Sequence, residues 1–158
     1  MSKKKILTLV FVREAGKILL GFKKRGFGAG LWNGFGGKVE EGETILQGAK
    51  RELLEECGLK AHSLKSVGLI NFEFESDPTI LEVHIFQTSD FSGLVAESEE
   101  MRPRWYSEES IPFSQMWPDD RLWFPYMLKD RQFEGYFLFK GMDIILNHWL
   151  KEVNLLNS

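Results

Sequence analysis

Glu52, Glu55 and Glu56 stand three and four residues apart, a spacing that brings their carboxylates to one face of a helix. Like charges held that close weaken a helix by roughly a few tenths of a kcal/mol per pair unless a cation sits among them. Arg51 can pair with Glu55 or Glu43 and relieve part of the repulsion, but one guanidinium cannot neutralise four glutamates. A hard divalent cation can, and oxygen-only ligands select Mg²⁺ or Mn²⁺ over zinc. Taken alone, glutamates on a helix usually form a solvated acidic face. Their neighbours decide between the two readings.

Gly37, Glu43, Arg51, Glu52, Leu53, Glu55, Glu56, Gly58 and Leu59 satisfy every fixed position of the pattern G-x5-E-x7-R-E-U-x-E-E-x-G-U, where U is a bulky aliphatic residue. The segment Gly37 to Leu59 therefore resembles the box of the Nudix hydrolase family without a departure. The resemblance implies a strand-loop-helix motif that binds Mg²⁺ and cuts a pyrophosphate bond of a nucleoside diphosphate linked to another group. It implies a mixed β-sheet flanked by two α-helices, an α/β (α+β) fold. It also implies Glu56 and Glu52 as the principal metal ligands, with Glu55 beside them and the Gly36 carbonyl contributing from the glycine-rich strand end. Glu56 is the first choice for deprotonating the attacking water, and Arg51 orients the glutamates. Glu100, in ESEEMRP, is an additional metal ligand or an exposed acidic residue; the sequence leaves both open.

A Nudix box names the reaction and not the substrate. Outside it, KKRGFGAGLWNGFGGKVEEGET, FEFE, ESEEMRP, IPFSQMWPDD and EGYFLFKG, in this order along nearly the whole chain, resemble the MutT-like branch of the family. In animals that branch hydrolyses oxidised purine nucleoside triphosphates such as 8-oxo-dGTP and 2-hydroxy-dATP, clearing them from the nucleotide pool. Position by position, the resemblance implies a base pocket of Thr8, Lys23, Asn33, Phe72, Phe74, Trp117, Asp119 and Asp120. Phe27 and Met101 would wall it, and Phe35, Gly36, Gly37, Lys38 and Pro118 would also contact the substrate. Each type makes chemical sense: Asn33 has donor and acceptor for a purine edge, Trp117 a stacking face, and paired aspartates accept or, when protonated, donate. Two adjacent aspartates in an aromatic pocket should not both ionise, so one proton is expected to be shared between Asp119 and Asp120. Leu81 stands where methionine is common in that branch, which puts pocket shape there in question.

Other readings remain. Phe72, Phe74 and Trp117 are residue types that more often pack cores than platform bases, Asp120 could simply cap a helix, and Trp105 reads as core. Cleavage of ADP-ribose, dinucleoside polyphosphates or capped RNA would use the same box, as would a module that binds nucleotides without hydrolysing them. Three crowded carboxylates speak against a pure binder.

The elements that must hold these residues can be read in outline. The 158 residues, 43% hydrophobic, suit one domain over the whole chain. A formal net charge of -3 argues against a surface gripping nucleic-acid polymers, while leaving room for a small anionic substrate met by a metal. Cys57 is the only cysteine, so no internal disulfide can form and a reducing compartment, the cytosol by default, is expected. Lys3 to Lys5 before an apolar run imitate a signal peptide, but the run from Ile6 to Val12 is short and Arg13 and Glu14 end it. A first strand is the better reading, with no membrane span; mitochondrial or nuclear fractions lie outside this argument. Nothing demands more than a monomer.

Residues 5 to 12 and 17 to 23 should form a hairpin turning at Glu14-Ala15-Gly16. Seven glycines between Gly26 and Gly42 mark backbone that turns tightly or approaches a ligand. A helix is predicted from Thr44, as N-cap, to Cys57, stopped by Gly58, with Ile45, Ala49 and Leu53 toward the core. Strands over 65 to 75 and 79 to 89 should turn at Ser76-Asp77-Pro78, with Phe72 and Phe74 on one face. A short strand is expected at Arg104 to Tyr106 and a second helix from about Asp119 to Lys129, which Pro125 should interrupt. The tail from Glu134 to Val153 fits either a hairpin around Gly141 or a terminal helix.

Overall fold

The computed structural model describes residues 3–154. In chain order the elements are β1 (Lys3–Glu14), β2 (Lys17–Lys23), β3 (Trp32–Asn33), α1 (Ile45–Cys57), β4 (Lys60–Ala61), β5 (Lys65–Phe74), β6 (Asp77–Thr88) and β7 (Phe91–Ser92). After these come β8 (Met101–Ser107), α2 (Asp120–Leu128), β9 (Gln132–Lys140) and β10 (Ile144–Val153). Eight strands form one sheet in the order β10-β9-β5-β6-β1-β2-β3, with β8 on the other edge of β2; β4 and β7 pair separately. The β1–β6 and β5–β9 pairs are parallel and the rest antiparallel, so the sheet is mixed, as expected.

Alternation along β1 sorts the core into two layers. Phe11 joins Ile70, Trp123, Phe124, Phe133 and Phe137 under α2. Val10 and Val12 join Ala49, Leu53, Phe86 and Phe35 under α1. Beyond the β1–β2 hairpin the two strands splay apart, and the glycine-rich segment wedges between them: Asn33 pairs with Gly21 of β2, while Phe35 and Lys38 bridge to Val10 and Leu7 of β1. No helix among the described residues is long and apolar enough to cross a membrane.

The Ala15-Gly16 turn has positive φ at both residues, 51° and 78°, the two-residue geometry that matches strand twist, so β1 runs on through Glu14. The box helix begins and ends where expected. Thr44 Oγ1 accepts from Gln47 N at 3.0 Å and Gln47 Oε1 accepts from Thr44 N at 2.8 Å, a reciprocal cap. Gly58 closes the helix with φ 81°.

Two expectations are corrected, and the open choice for the tail is decided. The β5–β6 turn lies at Glu75-Ser76, with Ser76 at φ 73°. Asp77 and Pro78 begin β6 ahead of the first residue pairing with β1, so the missing proline N–H breaks no ladder bond there. Pro125 sits inside α2 without ending it. Pro125 and Arg121 are both exposed, so the Arg121 carbonyl left without its helical donor can be met by water. The tail is a hairpin turning at Gly141, φ 63°, with β10 at the sheet edge.

Thr44→Ala removes the side-chain half of the cap and should lower stability by about 1 kcal/mol. Urea denaturation measures it, and a loss within error of zero would show that the cap does not hold the start of α1.

Candidate active site

Both sides of the site are built from one close approach. A Cβ on Gly36 would lie 1.8 Å from the Thr8 carbonyl oxygen, and one on Gly37 would lie 2.7 Å from the Glu52 carboxylate. Only glycine lets this backbone pass between β1 and α1. Thr8 N donates to Gly37 O at 2.9 Å, Val10 N donates to Phe35 O at 2.7 Å, and Gly36 N, between them, donates to Glu56 Oε1 at 2.9 Å.

The three glutamates have different surroundings. Glu56 is buried, 5% exposed, and burial pushes its carboxyl up to about 7. Glu52 is raised as well, chiefly by burial, against the pull of Arg51. The Glu55 side chain stays about half exposed, beside Arg51 and outside the cavity. Arg51 grips Glu43 through Nε (3.0 Å) and Nη2 (2.7 Å), reaches Glu52 at 2.9 Å and Glu55 at 3.1 Å through Nη1, and donates to Lys38 O at 3.1 Å. Its hydrogen bonds hold the Glu43 carboxyl down at about 2. One guanidinium thus ties the loop before α1 to the acidic face.

Among the described residues no three acidic, histidine or cysteine side chains already converge as a metal cluster. Arg51 holds Glu52 and Glu55, and Glu56 is turned onto Gly36 N–H. The donor chemistry nevertheless fits a hard cation: Glu52 and Glu56, one turn apart, pack against glycine backbone, and the buried Glu56 carboxylate has the Gly36 N–H bond to offset its burial cost. Glu100 pairs with Arg25 at 2.9 Å and Lys23 at 3.1 Å, bonds that lower its carboxyl, Arg25 first. It stands outside the cavity lining, although its charge reaches Glu56.

From Glu56 a cavity of about 190 Å³ runs under the sheet to the first turn of α2. Thr8, Lys23, Phe27, Asn33, Gly36, Gly37, Phe72, Phe74, Met101, Trp117, Asp119 and Asp120 all line it, as the sequence resemblance implied. Leu81, Val83 and Ile85 of β6 form an apolar wall. Trp117 lies between Phe27 (ring centroids 5.2 Å apart) and Phe139 (5.7 Å), and Phe27, 64% exposed, stands at the mouth. Asn33 Oδ1 accepts from Gly34 N at 2.8 Å.

Asp119 and Asp120 are 2% and 3% exposed. Asp119 Oδ2 accepts from the Trp123 indole N–H at 2.8 Å, while Asp120 Oδ2 is buried with no partner. Burial raises the Asp119 carboxyl to about 6, and burial with the charge of Asp119 raises Asp120 well above the usual range. Both shifts run toward the protonated form, and they are the condition for the pair to keep one proton near neutral pH.

Three expected residues are not brought to the cavity. Phe35 is fully buried in the core under α1, Lys38 is exposed with its carbonyl on Arg51, and Pro118 lies outside the lining between Trp117 and Asp119. Trp123 was missed. Its signal was the four-residue spacing from Asp119 on one helix, which lets the indole reach the carboxylate. Trp105, read as core, is partly buried and packs against the layer under α1.

Comparison with known proteins agrees with this geometry. The sequence profile of the family described as NUDIX domain matches residues 3–127. The chain is 57% identical over 153 residues to the oxidized purine nucleoside triphosphate hydrolase of Danio rerio, covering 97% of this chain and 98% of that one. Identity to the protein of that name from Mus musculus is 54% over 154 residues, covering 98% and 99%. The crystal structure of the MutT protein from Bacillus halodurans superposes with a TM-score of 0.84 at 26% identity, covering 93% and 97%.

Asp119 and Asp120 both stand above their unfolded values, so the folded chain binds protons that the unfolded chain releases. Their contribution to stability is full below about pH 4 and is lost as pH rises, through about 6 for Asp119 and higher still for Asp120. Asp120→Asn should therefore gain on the wild type across that interval, by at most about 1.4 kcal/mol per pH unit for each proton. Thermal unfolding of both proteins from pH 4 to pH 8 measures the difference, and a constant difference would contradict a raised, shared proton.

Proposed function

The chain belongs to the Nudix family, and on that premise we propose that it hydrolyses oxidised purine nucleoside triphosphates to the monophosphate and pyrophosphate, with Mg²⁺ as cofactor. The observation that carries the substrate reading is the buried aspartate pair, one oxygen unpartnered, at the end of an aromatic cavity that begins at Glu56. The zebrafish and mouse relatives, matched over nearly their full lengths and named for this substrate class, support it. Single-domain organisation is supported by β9 and β10, which continue the same sheet beyond the segment matched to the family.

Oxidation at C8 turns purine N7 from an acceptor into an N–H donor. A carboxylate of the pair accepts from it, while unoxidised guanine would set acceptor against acceptor and leave buried groups unpaired at roughly 1 to 3 kcal/mol each. Shifting the shared proton between Asp119 and Asp120 lets the same pocket meet oxidised guanine and oxidised adenine, with the Asn33 amide completing the polar edge and Trp117 giving a stacking face. Glu52, Glu56 and the Gly36 carbonyl hold the cation, with Glu55 beside them. When bound there, the cation neutralises phosphate oxygens and lowers the pKa of water. Glu56 lies nearest the cavity and takes the proton of the attacking water; Arg51 keeps the acidic face in place, and Lys23 sets its ammonium where a phosphate chain would pass. Water adds across a phosphoanhydride, and the chain leaves as monophosphate and pyrophosphate. Glu100 remains a candidate additional ligand, freed only if Lys23 and Arg25 release it. The proposed enzyme is a monomer in a reducing compartment, the cytosol by default, in keeping with a lone, buried Cys57.

Pyrophosphate release should be fastest with 8-oxo-dGTP and 2-hydroxy-dATP, slower with dGTP and dATP, and lost without Mg²⁺. Preference for ADP-ribose, a dinucleoside polyphosphate or capped RNA would replace the substrate reading, and no turnover of any nucleotide with Mg²⁺ would favour a binding module. Glu56→Gln should lower kcat by about 10² to 10⁴. Full turnover in that variant would remove Glu56 from the mechanism.

A further inference from the structure

The end of α2 remote from the cavity hangs on one side chain that no part of the chemistry uses. Arg13, near the end of β1, has a side chain only 16% exposed. It holds Glu108 in a fork, Nε to Oε2 at 2.8 Å and Nη2 to Oε1 at 3.2 Å. Nη1 donates to Gln87 Oε1 of β6 at 2.7 Å. The same guanidinium donates to the last carbonyls of α2, Met127 O at 3.0 Å and Leu128 O at 3.3 Å, and meets Asp130 Oδ1 at 3.3 Å. The fork fixes the guanidinium plane on the sheet, so the helix end is pinned to the sheet.

α2 needs such a pin. It has nine residues, with Pro125 inside it removing one ladder donor, too few to hold a helix by its own ladder. Its N-cap, Asp119, makes no side-chain capping bond, because that carboxylate is committed to Trp123. Packing of Trp123, Phe124 and Met127 keeps the helix on the sheet but is not directional; hydrogen bonds from a fixed cation at the negative end of the helix dipole set how far it slides and turns. Whatever shift the pin permits is carried along a rod of about 14 Å to Asp119 and Asp120.

We propose that Arg13, locked by Glu108, is a positioning residue for base selection: it caps α2 from behind and so sets where Asp119 and Asp120 stand in the pocket. This rests on the base-pocket reading above. A misplacement on the order of 1 Å is enough to weaken a bidentate contact severely.

Steady-state kinetics of Arg13→Gln, Arg13→Lys and Glu108→Gln on 8-oxo-dGTP and dGTP test it, with Asp120→Asn alongside and folding checked by circular dichroism. In Arg13→Gln, kcat should stay within about twofold, KM for 8-oxo-dGTP should rise about tenfold and preference over dGTP should fall about tenfold. Arg13→Lys, which keeps the cation but not the fork, should recover part of both, and Glu108→Gln should shift both the same way by less. Folded variants that lose melting temperature alone, with KM and preference unchanged, would overturn the inference, as would a fall in kcat at constant KM. If Arg13→Gln does not fold, the other two variants decide. Asp120→Asn separates the two claims: a changed preference there with none in the Arg13 and Glu108 variants defeats the positioning role alone, and no change in Asp120→Asn defeats the pocket reading itself.

Discussion

The passage of residues 34–37 between β1 and α1 is the contact on which the site depends. At Gly36 there is no room for even a methyl group beside the Thr8 carbonyl, whereas at Gly37 a methyl group would meet only the Glu52 carboxylate end, which can swing aside. That closeness does three things together. It lets the segment bond to β1 at Thr8 and Val10 where β2 has splayed away, it brings Gly36 N–H to Glu56, and it carries Asn33 to the cavity wall. Any side chain at Gly36 would push the strand end off β1 and separate the acidic helix from the base pocket in one movement. The conformational entropy that glycine adds to the unfolded chain is the cost of that geometry.

The acidic face of α1 shows how a helix tolerates what should destabilise it. Arg51 satisfies Glu43, Glu52 and Glu55 from one guanidinium, which leaves Glu56 as the carboxylate with least compensation. Glu56 is also the most buried of the four, and its raised carboxyl reflects that imbalance. A chain optimised for stability alone would pair or expose it. Glu55, within the same box, is about half exposed and does not line the cavity.

Local signals made the segments legible. The Thr44 cap, the Gly58 stop and the Ala15-Gly16 turn depend on a few neighbouring residues, and their physics is the same in a peptide as in the fold. What could not be read is non-local. Pro125 should have broken α2, but tertiary packing by Trp123, Phe124 and Met127 holds the turn while the freed carbonyl faces water. The tail between Gln132 and Val153 carries no decisive periodicity; the parallel register of β9 against β5 makes it a hairpin, and that pairing joins residues more than sixty positions apart. The family resemblance implies Phe35 as a substrate contact, yet alternation along the wedge turns its side chain into the α1 layer while its neighbours Gly34 and Gly36 line the cavity.

The two halves of the site lie in different layers. Glu52 and Glu56 belong to α1 on one side of the sheet, and Asp119 and Asp120 to α2 on the other. A substrate can touch both only by passing where the sheet opens, at the splayed ends of β1 and β2 that the glycine segment fills. In the proposed reading, base recognition and bond cleavage are therefore joined by a single piece of backbone, and a base that seats badly against the aspartates would draw its phosphates away from Glu56. This is how a pocket that contributes no reacting group can set the rate: burial of two carboxylates against apolar and aromatic walls raises the cost of every unmatched base, and the rigid path through Asn33, Gly36 and Gly37 turns that cost into misplacement at the phosphates.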